Sequence, residues 1–172
     1  MYNIGAYVSY RAEGICVLTE IKRQKFGVLD EYKDFYVLSP LKDPNSKLFV
    51  PTDSQQLVGK MRPLCSAEDV NALADTLLKK RLDWEEQSRR RSNSFKNILA
   101  DGDRESLIML IHTISEREDM LSEMGKHVTQ SDMTALEKAK KMLINEFSFT
   151  TDITDEKTLM TVINCLGKCK DK

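Results

Sequence analysis

The fold is decided by the stretch Ser66–Leu78, which reads Ser-Ala-Glu-Asp-Val-Asn-Ala-Leu-Ala-Asp-Thr-Leu-Leu. Ser66, followed three residues later by Asp69, has the pattern of a helix N-cap. Behind it the apolar residues recur every three or four positions: Val70, Leu73, Ala74, Leu77 and Leu78. This spacing predicts an amphipathic helix. Because the residues before Ser66 have a strand pattern and those after it a helical one, we expect an α+β protein.

Short β-forming segments precede Ser66 and are separated by turn residues. Strands are predicted at 6–10, 15–21, 34–38 and 48–50. Gly14 is expected to take a positive φ in the first turn, and the run 43–46, Asp-Pro-Asn-Ser, is dense in turn residues. The pattern indicates a small twisted sheet, or a partly open barrel of the Tudor or SH3 type, over residues 1–63.

Helical patterns fill residues 64–172, which we expect to form an all-α domain. Asp83 with Glu86 predicts a second N-cap, and this would put Trp84 at the first position of the next helix. The remaining boundaries are a helix end at Gly102 and N-caps at Asp103 and Thr129. A last amphipathic segment carries Leu159, Val162, Ile163 and Leu166.

A basic stretch, Lys79–Lys96, surrounds Trp84, the only tryptophan of the chain. Between Leu77 and Leu99 seven basic residues stand against three acidic ones, whereas the whole chain has a net charge of −1. Two interpretations remain open. The stretch could contact nucleic acid, with the indole stacked on or wedged between bases, or it could be a solvated helix face with Trp84 as a core anchor.

The three consecutive arginines of this stretch, Arg89, Arg90 and Arg91, cannot all reach one partner. Neighbouring residues on a helix lie about 100° apart around its axis. At most two of the three are therefore expected to contact one DNA backbone, and Arg91 falls on the same side as Phe95.

The composition sets the protein class. A chain of 172 residues with 41% hydrophobic and 31% charged residues can bury a core. Its apolar runs are too short to span a membrane, and no cleavable leader precedes the first strand. We therefore expect a cytoplasmic protein without a membrane partner. The cysteines, Cys16, Cys65, Cys165 and Cys169, are expected to be free thiols.

Enzymatic activity is not expected. There is no glycine-rich phosphate loop, and the segment Gly59-Lys60 lacks the flanking residues of one. Two histidines, His112 and His127, give no nucleophile–base set and do not stand at metal-ligand spacing from the cysteines. We therefore predict no catalytic residue, no metal and no cofactor.

Several segments together resemble the CarD/CdnL family of bacterial transcription regulators. They are Ile4-Gly5-Ala6-Tyr7-Val8-Ser9-Tyr10, Gly14-Ile15, Phe35-Tyr36-Val37-Leu38, Phe49-Val50-Pro51, Gly59-Lys60-Met61-Arg62, Gly102-Asp103 and Leu136-Glu137-Lys138-Ala139-Lys140-Lys141-Met142-Leu143-Ile144-Asn145-Glu146-Phe147. The resemblance extends over roughly residues 4–149, and it is carried by the order and spacing of the segments.

The resemblance implies a Tudor-like domain that binds the β subunit of RNA polymerase and a helical domain that contacts promoter DNA. The DNA contact would lie just upstream of the melted region, with a tryptophan wedged into the minor groove. Carried over, the wedge is Trp84, and the phosphate contacts are the cluster Arg89–Arg91 with Lys96. The polymerase contacts are Arg23, Lys25, Lys47 and Phe49.

The sequence departs from the family pattern at two of these positions. Trp84 stands about one helical turn further upstream of Gly102 than the family's tryptophan. Phe49 stands where the family often presents an arginine, and Arg23 and Lys47 could supply that charge instead. A monomer is expected, with weak affinity for DNA alone because few phosphates are met.

The sequence thus predicts a non-enzymatic regulator that stabilises the open promoter complex. The alternative is a protein-interaction adaptor whose helical part docks a partner without touching DNA. Free sequence-specific binding by a helix-turn-helix is disfavoured, because no helix presents Asn, Gln and Arg together for base reading.

Overall fold

The computed structural model describes residues 2–25 and 32–165. A β-sheet comes first and helices follow, so the predicted α+β class is confirmed. The chain divides into two compact units, Met1–Leu64 and Cys65–Lys172. Leu166 and Cys169 lie outside the described residues.

An antiparallel sheet of five strands forms the N-terminal unit. The strands are β1 Tyr7–Tyr10, β2 Gly14–Gln24, β3 Lys33–Pro40, β4 Leu48–Pro51 and β5 Met61–Arg62. Their order across the sheet is β4-β3-β2-β1-β5, so β4 and β5 are its outer strands within the described part of the chain. A short helix, α1 (Gln55–Val58), precedes β5. The sheet is open.

The core of this unit lies on one face of the sheet. Val8, Cys16, Leu18 and Leu38 are completely buried there, together with Tyr36. The register of β2 against β3 shifts between Leu18 and Glu20, and Thr19 donates its hydroxyl hydrogen to the carbonyl of Val37 at 3.0 Å. The first turn has the predicted geometry, because Gly14 has φ = +75°.

Five helices form the C-terminal unit within the described residues. They are α2 Ala67–Leu77, α3 Ser88–Asp101, α4 Arg104–Ser122, α5 Gln130–Phe147 and α6 Glu156–Cys165. Their buried faces meet in one cluster, whose fully buried members include Leu77, Ile111, Leu143 and Phe147. None of the described helices is long and apolar enough to cross a membrane.

Most predicted helix boundaries are confirmed. Ser66 with Asp69 and Thr129 with Asp132 form complete capping boxes, in which the side chain of each residue accepts a hydrogen bond from the backbone of the other. Asp103 accepts from the backbone N–H of Ser106. Gly102 ends α3 in the left-handed conformation, with φ = +67°.

The predicted N-cap at Asp83 is wrong. Residues 78–87 form a connecting segment without helix or strand, and α3 begins at Ser88 after Gln87. Trp84 therefore lies within this connection and not at a helix entrance. Contacts with other helices determine its path: the backbone N–H of Leu82 donates to the hydroxyl of Thr113 in α4 at 2.9 Å, and Arg81 contacts Glu116 at 2.7 Å.

Candidate functional site

Trp84 is partly buried and packs against the core of the helical unit. Its ring lies edge-on to Phe95, with centroids 6.4 Å apart. Two guanidinium groups lie over the indole: Arg91 at 4.3 Å and Arg117 at 5.2 Å from the ring centroid. Both distances are within the range of a cation–π contact. The indole is thus held in a defined position and retains a partly exposed surface.

Arg91 points into the protein, and this argues against a phosphate contact by this residue. Its Nε–H donates to Oδ1 of Asp132 at 3.1 Å and its NH2 to Oδ2 at 2.8 Å. Its NH1 donates to the backbone carbonyls of Glu85 at 2.7 Å and Glu86 at 3.3 Å. Arg91 is 5% exposed and Asp132 is completely buried. We therefore leave Arg91 out of the proposed DNA surface.

The carboxylate of Asp132 is ionised in this environment. Burial by itself raises the pKa of Asp132, but hydrogen bonds from Arg91 and Thr129, with the charge of Arg91, outweigh that effect and lower it. The same carboxylate completes the capping box of α5. Asp132 therefore joins the start of α5 to Arg91, and through Arg91 to the connection that carries Trp84.

Arg89, Arg90 and Lys96 are exposed on α3. They make no ion pair with any residue that the structure describes, so their charges face solvent. Arg89 and Lys96 are seven positions apart and share one face of the helix, about 10 Å apart along its axis. Arg90 is turned by about 100° from that face. Two of the predicted contacts, Arg89 and Lys96, therefore form a common basic surface.

A groove between α3 and α5 adjoins Lys96. Its volume is about 280 Å³, and it is lined by Ser92, Phe95, Lys96, Leu99, Ser131, Thr134, Ala135 and Lys138. The hydroxyls of Ser92 and Ser131 lie 3.0 Å apart across it. Lys138 adds a second exposed ammonium group on the α5 side. We name the surface of Arg89, Ser92, Lys96, Ser131 and Lys138 the α3–α5 basic surface.

Lys138 was not among the sequence-predicted contacts, although it lies in the segment Leu136–Phe147 that supports the family resemblance. The lysines of that segment have a helical charge pattern that most often marks a solvated face. Only the packing of α5 beside α3 brings Lys138 to the same groove as Lys96. No local signal in the sequence carries that information.

The four predicted polymerase contacts do not share one face of the sheet. Phe49 pairs with Val37, and Val37 pairs with Glu20, so these three side chains point to the same side. Lys47 reaches that side too, because its Nζ lies 3.6 Å from Glu20. Arg23 pairs with Asp34, one residue before Phe35, and strand alternation puts it on the opposite face.

Phe49 and Lys25 each contact an aromatic ring. Phe49 is partly buried and lies edge-on to Phe35, with centroids 6.3 Å apart. The Nζ of Lys25 lies 5.5 Å from the centroid of Tyr32, just beyond the end of β2. Lys47 and Phe49 therefore form the more coherent pair, at the β4 side of the sheet.

Residues 2–65 match the family model of the CarD-like/TRCF RID domain. The N-terminal unit is a CarD-like domain. Domains of this family interact with RNA polymerase, and the match therefore supports a transcription-related role in which the N-terminal unit binds that enzyme. CarD-like domains of this kind are generally non-enzymatic. The helical unit lies almost entirely outside the matched range, and no curated protein matches the chain.

Proposed function

We propose that this protein is a non-enzymatic transcription regulator that bridges the RNA polymerase β subunit and promoter DNA. The N-terminal unit binds the β subunit, and the helical unit contacts the duplex just upstream of the melted region, which stabilises the open complex. One observation carries the proposal. A CarD-like domain is joined in one chain to a helical unit that has exposed basic side chains on α3, without an ion pair to any described residue, and a partly exposed tryptophan in the connection before that helix.

On the polymerase side, the proposal assigns the contact to Lys47 and Phe49. The two residues belong to the segment at β4, an outer strand of the sheet in the described part of the chain. Outer strands are the usual place where a partner chain adds to a sheet. The ammonium group of Lys47 could pair with an acidic residue of the partner segment, and the ring of Phe49 could pack against an apolar residue of the same segment.

On the DNA side, the phosphate contacts are assigned to the α3–α5 basic surface. Arg89, Lys96 and Lys138 supply the charge, and the hydrogen-bonded hydroxyl pair Ser92–Ser131 has one further hydrogen to donate to a phosphate oxygen. Trp84 is the wedge at the N-terminal side of α3, where its exposed edge would enter the minor groove. Because few phosphates are met, DNA binding by the free protein is weak and depends on the link to polymerase.

The DNA part of the proposal is tested by the lifetime of the open complex at saturating protein. We expect Trp84→Ala and Lys96→Ala with Lys138→Ala to shorten the lifetime, while polymerase binding stays unchanged. The double variant Lys79→Ala with Lys80→Ala is the matched control, since it removes two exposed lysines away from the groove. Lifetimes equal to that of the unmodified protein would remove the helical unit from the mechanism.

The polymerase part is tested by capture of the whole 172-residue chain on the β-subunit lobe. Lys47→Glu should abolish capture, because it reverses the charge beside Phe49. Lys42→Glu is the control: Lys42 is also exposed and also pairs with a glutamate, Glu13, at 3.1 Å. Equal capture of both variants would contradict the assignment of the β4 side.

A second candidate is the adaptor, in which the helical unit docks a protein partner and does not contact DNA. The inward position of Arg91 and the partial burial of Trp84 favour it, because both reduce the surface that DNA could meet. Arg89→Ala with Arg90→Ala separates the two candidates. Promoter effects that survive this change at low salt support the adaptor, and promoter effects that disappear support the bridge.

A further inference from the structure

We infer that Asp132 and Arg91 are positioning residues for Trp84. Together they fix the conformation of the connection 78–87, so that the indole has one defined position beside α3 before DNA binds. This inference rests on the proposed function of Trp84 as the DNA wedge. Neither residue contacts DNA in this account. Their role is to fix the conformation of a segment that has no helix or strand of its own.

The Arg91 guanidinium makes four hydrogen bonds to two different parts of the chain. Two of its N–H groups form a parallel pair with the carboxylate of Asp132, and two from NH1 reach the carbonyls of Glu85 and Glu86. An arginine side chain has five N–H donors. Four of the five are therefore used to bind α5 on one side and the residues directly after Trp84 on the other.

The same guanidinium also lies over the indole ring. The Cζ atom of Arg91 lies 4.3 Å from the ring centroid of Trp84. The position of the guanidinium is fixed in turn by Asp132, which the capping box holds at the start of α5. The chain of contacts thus runs from the N-terminus of α5 through Asp132 and Arg91 to Trp84. A lysine at position 91 could not reproduce it, because an ammonium group lacks the planar fork.

A ring whose position is already fixed in the free protein favours binding, since the entropic cost of ordering a flexible segment opposes association. The indole also contacts the ring of Phe95 and the guanidinium of Arg117. Side-chain contacts with α4 join Arg81 to Glu116, Leu82 to Thr113 and Glu86 to Arg117, the last at 3.5 Å. Among these contacts, Arg91 alone bonds the backbone on the C-terminal side of Trp84. Loss of the paired hydrogen bonds of the Arg91 guanidinium should therefore make the indole more mobile without unfolding the helical unit.

The test uses the fluorescence of the 172-residue chain, because Trp84 is the only tryptophan in it. We expect Arg91→Lys and Asp132→Asn to shift the emission to longer wavelength and to increase quenching by acrylamide. Asp69→Asn is the matched control, since Asp69 occupies the same position in the capping box of α2. It removes a capping carboxylate and should leave the Trp84 signal unchanged. Circular dichroism at the same temperature checks that the helices persist.

Unchanged emission and quenching in folded Arg91→Lys and Asp132→Asn would overturn the inference. A second measurement needs no variant: the Nε–H resonance of Arg91 in the unmodified protein. We expect it to exchange slowly with solvent, because it is buried against Asp132. Rapid exchange of that proton would equally overturn the inference.

The open-complex lifetime separates this inference from the proposed function. If both are right, Arg91→Lys shortens the lifetime as Trp84→Ala does, with unchanged polymerase binding. If the variants release the indole but Trp84→Ala leaves the lifetime unchanged, the positioning role holds and the wedge function fails. If Trp84→Ala shortens the lifetime and folded Arg91→Lys does not, the positioning role fails and the wedge function holds.

Discussion

His112 is buried within the helical unit, and its surroundings oppose a positive charge. Its imidazole is 4% exposed, and the Nδ1 atom lies 3.4 Å from NH1 of Arg81. Burial is the main cause that lowers the pKa of His112, and the charge of Arg81 adds to it. Glu116, which pairs with Arg81, acts in the opposite direction but is the weaker influence. His112 is therefore neutral at pH 7.

This environment predicts a pH dependence of the helical unit. The pKa of His112 is lower in the folded than in the unfolded chain, where it is about 6.5. The unfolded chain then binds more protons below that pH, so stability decreases as the pH falls through 6.5. We expect the melting temperature to be lower at pH 5.5 than at pH 7.5. His112→Gln should reduce this difference.

Cys16 is a buried thiol of the sheet, and burial raises its pKa to about 11. A thiol reacts as the thiolate, which is scarce at pH 8 with such a pKa. We predict that iodoacetamide labels Cys16 in the native protein much more slowly than in urea, as measured by peptide mass spectrometry. Equal rates in the two conditions would contradict the buried position of Cys16.

At the scale of single helices and strands, sequence patterns correctly predicted the features that depend on contacts between residues close together in the sequence. The capping boxes at Ser66 and Thr129 were predicted correctly, because both partners lie within one helical turn. Asp83 with Glu86 has a similar pattern but caps no helix. There the connection is held by Thr113, Glu116 and Asp132, which lie about 30 or more positions away in the sequence. A window of a few residues contains none of these partners.

Helices α4 and α5 are joined by a largely buried ion pair between Arg104 and Glu146, whose side chains are 13% and 6% exposed. Removal of one partner leaves a buried charge uncompensated, which costs about 3–5 kcal/mol. We expect Arg104→Met to lower the free energy of unfolding by about that amount. Chemical denaturation measures it.

The exposed pair Lys33–Asp53 in the sheet, 2.8 Å apart, gives the comparison. Solvent screens such a pair, so Lys33→Met should lower the free energy of unfolding far less than Arg104→Met does. Similar losses in the two variants would show that the burial of the Arg104–Glu146 pair has little energetic effect.

At the scale of the whole molecule, the basic charge of α3 is balanced elsewhere in a chain of net charge −1. Long-range attraction of the whole protein to DNA is therefore expected to be small, and under the proposed function the local α3–α5 basic surface must supply the contact. The covalent link to a polymerase-binding domain raises the local concentration of that surface near the promoter. For this reason, the proposed weak affinity of the free protein for DNA is compatible with a strong effect on the open promoter complex.

The salt dependence of binding to a promoter fragment measures how many phosphates are met. Each neutralised phosphate contributes about −0.9 to the slope of log K against log salt. We expect Arg89→Ala to reduce the magnitude of the slope by about 1. Arg23→Ala, in the N-terminal unit, should leave the slope unchanged. Fluorescence anisotropy at several salt concentrations provides the values, and an unchanged slope for Arg89→Ala would remove that residue from the surface.

The sequence predicted the fold class and the family of residues 2–65, but only part of the candidate site. Strand segments such as Phe35–Leu38 combine β-forming residues with defined turns, and this information is local. Whether Arg91 points to solvent or to Asp132 depends on the packing of α3 against α5, 41 positions apart in the sequence. The same packing brings Lys138 beside Lys96. Residue types alone do not contain it.

The double role of the Asp132 carboxylate has a consequence for genetics. A single change at this codon would weaken the start of α5 and loosen the indole together, so one lesion yields two defects. A second change elsewhere in the gene could repair the first defect by strengthening the helix, yet the second would persist as long as Arg91 lacks the carboxylate at position 132. Suppressors of a defective codon 132 should therefore fall into two classes, and under the proposed function those that restore full promoter activity should be the rarer.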